Sequence, residues 1–103
     1  MQFDVFANPA RSTRLAFPLV VDLQADLVAG RLHVVSFLAR AVRFSDTDGK
    51  LLPRVRVGDE EYLVTVGRMA TVPIAALGAS TGSVAAWRDD ILRAIDWLFF
   101  GLP

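Results

Sequence analysis

Arg54-Val55-Arg56-Val57-Gly58-Asp59-Glu60-Glu61-Tyr62-Leu63-Val64-Thr65-Val66 decides the fold class. Charged and apolar residues alternate over 54–57, the period that sends successive side chains to opposite faces of a sheet. Gly58-Asp59-Glu60 then turns the chain, and Tyr62-Leu63-Val64-Thr65-Val66 resumes with aromatic and β-branched residues that suit a pleated surface. Two such runs with so little between them predict an antiparallel hairpin with a short loop.

The reading extends in both directions. Upstream, Gln2-Phe3-Asp4-Val5-Phe6 alternates polar and apolar and predicts a half-buried strand, which Asn8-Pro9 ends. The segment 15–23 is nearly continuous apolar with Pro18 inside it, so a strand there needs an edge or a bulge, because proline has no N–H for a ladder. Gly30 marks a turn, 31–37 predicts a further strand, and Ser45-Asp46-Thr47-Asp48-Gly49-Lys50 is a polar turn cluster. Downstream, 69–77 leans toward strand, again with a proline, Pro73. The period then changes. After Gly78-Ala79-Ser80-Thr81-Gly82, Ser83 is placed to cap a helix, and Val84, Trp87, Ile91, Ile95 and Leu98 recur at steps of three and four. Asp89 and Asp90 early in this helix and Arg93 later follow the sense of the helix dipole, and Gly101 ends it. Leu92, Trp97, Phe99 and Phe100 lie off the stripe, so the helix carries more apolar surface than one core needs.

At 103 residues the chain is expected to be one domain, 1–103, with a single mainly β core and a C-terminal helix. Its apolar fraction of 53% exceeds the usual 45–50% or so, and the excess suits a subunit interface or a partner-binding patch. Eleven basic and eleven acidic residues balance to zero, which argues against a cationic groove for nucleic acid. The absence of cysteine excludes disulfides, thiolate metal sites and Cys nucleophiles. No secretory leader and no apolar run of membrane-spanning length is recognisable, so a soluble cytoplasmic protein without a membrane partner is expected.

Few residues suggest chemistry. His33 is the lone histidine, sits in a strand candidate and reads as a satisfied structural residue. Asp22, Asp26 and Asp59-Glu60-Glu61 have no metal-ligand or acid–base spacing and read as turn and surface residues. Arg40, Arg43, Arg54, Arg56 and Arg68 could line a groove, but arginine at alternate strand positions is more often a solvated face. No catalytic residue, metal site or cofactor is expected. The outstanding feature is Phe99-Phe100-Gly101-Leu102-Pro103. Terminal segments are usually polar and frayed, so an aromatic-rich one is either buried at home or offered to a partner as an anchor.

Several segments together resemble the CcdB toxins: Met1-Gln2-Phe3 with Val5, Val21-Asp22-Leu23-Gln24-Ala25-Asp26-Leu27, Val57-Gly58-Asp59-Glu60, Met69-Ala70-Thr71-Val72-Pro73, and Ile95-Asp96-Trp97-Leu98-Phe99-Phe100-Gly101-Leu102. They stand in the family's order over nearly the whole chain. The resemblance implies an SH3-like barrel, a five-stranded antiparallel sheet with a small second sheet and a C-terminal helix, assembled as a homodimer with the helices side by side. It implies a toxin that binds the DNA gyrase A subunit, traps gyrase on cleaved DNA, and is removed by a cognate antitoxin with a disordered C-terminal segment. The pair would repress its own operon, so DNA is met only through the antitoxin complex. Carried over by position, Phe100, Gly101 and Leu102 would bind gyrase, Leu27, Val28 and Asp96 the antitoxin, and Leu98 and Phe99 would lie in the dimer interface. The chain departs from the family at two places: Phe100 stands where the best-known members have Trp, and Pro103 adds a residue. Two alternatives stay open, a non-toxic homologue that binds antitoxin alone and an mRNA-cleaving toxin on the same barrel.

Overall fold

The computed structural model describes residues 1–25, 30–43 and 52–101, and the polar turn cluster at 45–50 lies outside them. The expected central hairpin is formed by β4 (Arg54–Val57) and β5 (Glu60–Pro73), with Val57 opposite Glu60. Gly58 takes φ 62° at the first of the two loop positions. A two-residue loop whose twist matches its strands requires positive φ there, which glycine adopts without steric cost.

The hairpin extends into an antiparallel sheet with β1 (Asp4–Ala7), β2 (Leu19–Asp22), β3 (Leu32–Arg40) and β6 (Gly82–Ser83) in the order β4-β5-β3-β2-β1-β6. Its two ends approach each other: a Cβ built on Gly82 of β6 would sit 3.5 Å from Val57 Cγ1 of β4. The sheet is therefore a nearly closed barrel, mostly antiparallel, with one C-terminal helix, α1 (Arg88–Phe100). The expected second sheet is continuous with the first. Residues 32–34 continue the ladder with β5 past the last β2 pair, Asp22 with Val35, forming a ribbon beyond a break in register, where the Leu23 N–H still donates to Val34 O at 2.9 Å.

That break has a polar cause. Ser36 faces Met69 and Phe37 faces Thr65, so Val66, Gly67 and Arg68 bulge out of the ladder. The buried Ser36 hydroxyl donates to Thr65 O at 2.8 Å and lies 3.0 Å from Arg68 O, while Thr65 Oγ1 donates to Phe37 O at 2.7 Å. Two buried hydroxyls thus hold the bulge and are satisfied by it, as buried polar groups must be.

Local chemistry also shifts the strand ends from their sequence-based positions. β1 begins at Asp4, not Gln2, because Phe3 adopts φ 68°. In that conformation its N–H donates to Asp22 O (2.7 Å), its carbonyl accepts from Val84 N (2.9 Å), and its ring is buried. Such a backbone is strained for a bulky residue and persists only where its surroundings fix it. Pro18 stands just before β2, so it removes no ladder bond.

The loop between β1 and β2 is organised by Asn8, which is 1% exposed. Its Oδ1 accepts from Ala10 N (2.9 Å), and its Nδ2 donates to Phe17 O (2.8 Å) and Thr13 Oγ1 (3.0 Å). Asn8→Ala should lower stability by about 2 kcal/mol, because it strands buried partners without changing the core. A fall in the urea midpoint at constant m-value measures it.

The core gathers Phe3, Val5, Val21, Leu38, Val55, Tyr62, Val64 and Val66 from the sheet with Val84, Ile91 and Ala94 from the C-terminal segment. Val20, Val35, Ala39 and Leu63 are buried as well, outside that cluster, so the central strands are covered on both faces. Burial pushes the Tyr62 phenol above its ordinary value of 10.0; the Glu60 carboxylate adds to the rise and the Arg40 guanidinium opposes it. Above pH 10 the unfolded chain therefore loses the phenolic proton before the folded one does. Stability should be complete below that pH and fall as pH rises beyond it, and Tyr62→Phe should reduce the alkaline loss in urea titrations between pH 8 and 11.

Candidate partner-binding site

The C-terminal segment is anchored by Val84, which is buried, and by a 3-10 turn over Ala85–Trp87. Ser83 Oγ accepts from Ala85 N at 3.2 Å, but Ser83 stands one residue before the N-cap of the 3-10 turn, Val84, which makes no side-chain cap. The α-helix itself starts at Arg88 without a side-chain cap, which corrects the expected role of Ser83. Asp89 and Asp90 occupy its first turn, with Arg93 Nη1 3.4 Å from Asp90 Oδ1.

Ile91 and Ala94 are buried, and Trp87, Leu92 and Ile95 pack half-buried against the core. Past Ile95 the helix overshoots the barrel. Leu98 is 40% exposed although it continues the core stripe, Phe99 is 61% exposed and Phe100 is 71% exposed. Gly101 then takes φ 65°, and its N–H donates to Trp97 O at 3.0 Å. This left-handed cap ends the helix immediately after Phe100. Asp96 is exposed one turn back, three residues from Phe99 and four from Phe100, the spacings of side-chain neighbours on a helix. No basic residue lies in the last turn, so the C-terminal carbonyl dipole and the Asp96 carboxylate make this aromatic end attractive to a cation.

The other candidates do not join this cluster. His33 Nδ1 lies 2.7 Å from Asp22 Oδ2, and Asp22 Oδ1 accepts from Gln24 N at 2.9 Å. His33 is thus a satisfied structural residue, but Asp22 is buried, not a surface residue as the sequence suggested. Arg40 pairs with Glu60 at 2.8 Å and Arg54 lies 3.9 Å from Glu61. Arg68 instead lies over the Phe17 ring, 5.0 Å from its centroid. No group of three or more His, Asp or Glu among the described residues is placed to hold a metal ion.

A family model described as CcdB protein matches residues 2–101 of the chain. The chain belongs to the CcdB family. As a CcdB-family member it is a toxin of a toxin–antitoxin pair, with an antitoxin as partner, and it does not act as a conventional enzyme. No helix among the described residues is long and apolar enough to cross a membrane.

Of the residues that the CcdB resemblance singles out, Asp96, Leu98, Phe99, Phe100 and Gly101 come together on the last turns of α1. Leu27, Val28 and Leu102 lie outside the described residues. What sequence reasoning missed is the pairing of Phe17 with Arg68. The two are 51 positions apart by number, and only the bulge of β5 brings them together.

Proposed function

We propose that this CcdB-family toxin binds the DNA gyrase A subunit through the end of α1 and traps the gyrase–cleaved DNA complex. The observation that carries the reading is a phenylalanine, Phe100, held 71% exposed at a helix terminus and followed by the left-handed Gly101. The fold spends no core packing on this ring. An arginine of the target can stack on its face, a contact that the negative helix end strengthens. Gly101 serves this contact by letting backbone approach closely, and the family resemblance assigns Leu102 to gyrase as well.

The active species in this reading is a homodimer in which Leu98 and Phe99 of the two helices cover each other, which removes exposed apolar surface from water. The cognate antitoxin binds at Leu27, Val28 and Asp96 and withdraws the toxin from gyrase. The toxin–antitoxin complex represses its operon and meets DNA only through the antitoxin, in the cytoplasm.

The test is a cleavage assay with purified toxin, supercoiled DNA, ATP and gyrase from the source organism, stopped with detergent and protease. Accumulation of linear DNA is the expected result. Its absence with a folded dimer, together with retained antitoxin binding, would replace this reading by that of a non-toxic homologue.

A further inference from the structure

A second surface, with none of its lining residues on α1, has the chemistry of a docking site. A cavity of about 230 Å³ opens between the Asn8-organised loop and the β5 bulge, lined by Thr13, Phe17, Phe37, Gly67, Arg68 and Met69. Phe17 and Phe37 form its apolar wall, with ring centroids 5.7 Å apart at 57°. Arg68 lies over Phe17, which fixes the guanidinium plane and leaves its donors free at the rim. Gly67 contributes no side chain, and a Cβ there would meet nothing within 4 Å.

The charge at this rim is uncompensated. Arg40, Arg54, Arg88 and Arg93 each have a carboxylate within ion-pair distance. Among the described residues Arg68 has none, and neither do Arg11, Arg14, Arg31 and Arg56, but of these five only Arg68 lines the cavity. A cation without a counter-charge in the wall of an aromatic cavity large enough for one side chain complements a segment that carries a carboxylate next to an apolar residue. We propose that this cavity seats such an acidic–apolar segment of the antitoxin, with the carboxylate on Arg68 and the apolar side chain against Phe17 and Phe37. This inference rests on the toxin–antitoxin reading and extends the antitoxin's footprint to the bulge of β5.

The test uses the antitoxin encoded with this toxin, titrated calorimetrically into the wild type, Arg68→Gln, Arg68→Glu and Gly67→Leu. Arg68→Gln should weaken binding about tenfold and Arg68→Glu about a hundredfold, because a planar charge-assisted contact is lost and then reversed. The Arg68→Gln complex should also lose less affinity on going to high salt. Gly67→Leu adds a side chain in open space at a backbone angle that any residue adopts, so it should fold normally and weaken binding by obstruction. All three should melt like the wild type and, without antitoxin, trap gyrase on cleaved DNA as the wild type does. Wild-type affinity in both Arg68→Glu and Gly67→Leu would overturn the proposal. A wild type that binds no antitoxin would instead overturn the toxin–antitoxin reading beneath it.

Discussion

Phe100→Ala should raise the toxin concentration needed to accumulate linear DNA by about a hundredfold or more, with the fold intact. The two halves of this expectation have one cause. A side chain 71% exposed contributes little to the core, so its truncation should cost the fold less than about 0.5 kcal/mol. The same exposure makes it available as an anchor, and truncating a central aromatic anchor typically costs about 2–4 kcal/mol of binding, roughly 30- to 1,000-fold. Phe100→Trp should move potency the other way, since indole is the better partner for a stacked cation. Dose–response curves of gyrase cleavage, beside thermal melts of the same preparations, separate the two effects. Undiminished cleavage by the alanine variant would mean that the helix end is not the gyrase-binding surface.

Ile91→Ala should be the most damaging single truncation in α1, at about 3 kcal/mol or more. Ile91 is 0% exposed and, with Ala94, is one of two fully buried residues on the helix. A cavity there sits between helix and barrel, where the barrel cannot collapse onto it without moving its own strands. Against a total of about 5–15 kcal/mol for a small domain, this is a large share. The variant should show a strongly reduced urea midpoint with nearly unchanged m-value. It should also lose potency through detachment of the helix, which distinguishes it from Phe100→Ala, where potency falls and the midpoint stays. A midpoint close to the wild type would show that the helix does not depend on this contact.

The central hairpin was legible because its signals are local: alternation over 54–57, glycine at the first loop position and a β-branched run after it. The full length of β5 was not. Tyr62 to Val66 are all buried and so show no alternation, and the bulge at 66–68 then shifts the phase before the strand resumes at Met69. The helical stripe was read from large side chains, which missed Ala94 and admitted Leu98. Ala94 is 1% exposed and belongs to the core cluster, whereas Leu98, a turn further on, stays 40% exposed. The burial of Asp22 could not be read, since its partner His33 is eleven residues away on another strand. The exposed aromatic end was visible as a terminus of unusual composition, whereas the roles assigned to it came from family resemblance. The Arg68–Phe17 contact had no signature at all, because it depends on tertiary placement.

The strand order has a consequence for synthesis. β1 is completed only by β6, through Asp4 opposite Ser83 and Val5 opposite Gly82, and Phe3 is held in its strained conformation by Val84. β1 must therefore wait for β6, which follows every other described strand in chain order. Until 82–94 has emerged, a nascent chain carries Phe3, Val5 and Val21 without Val84, Ile91 and Ala94 to cover them. Non-local pairing of this kind makes folding slow and lengthens the time that apolar strands stand open to aggregation and to chaperones. A nascent chain stalled before Gly82 would hold a barrel still open at β1, with no α1 yet to present.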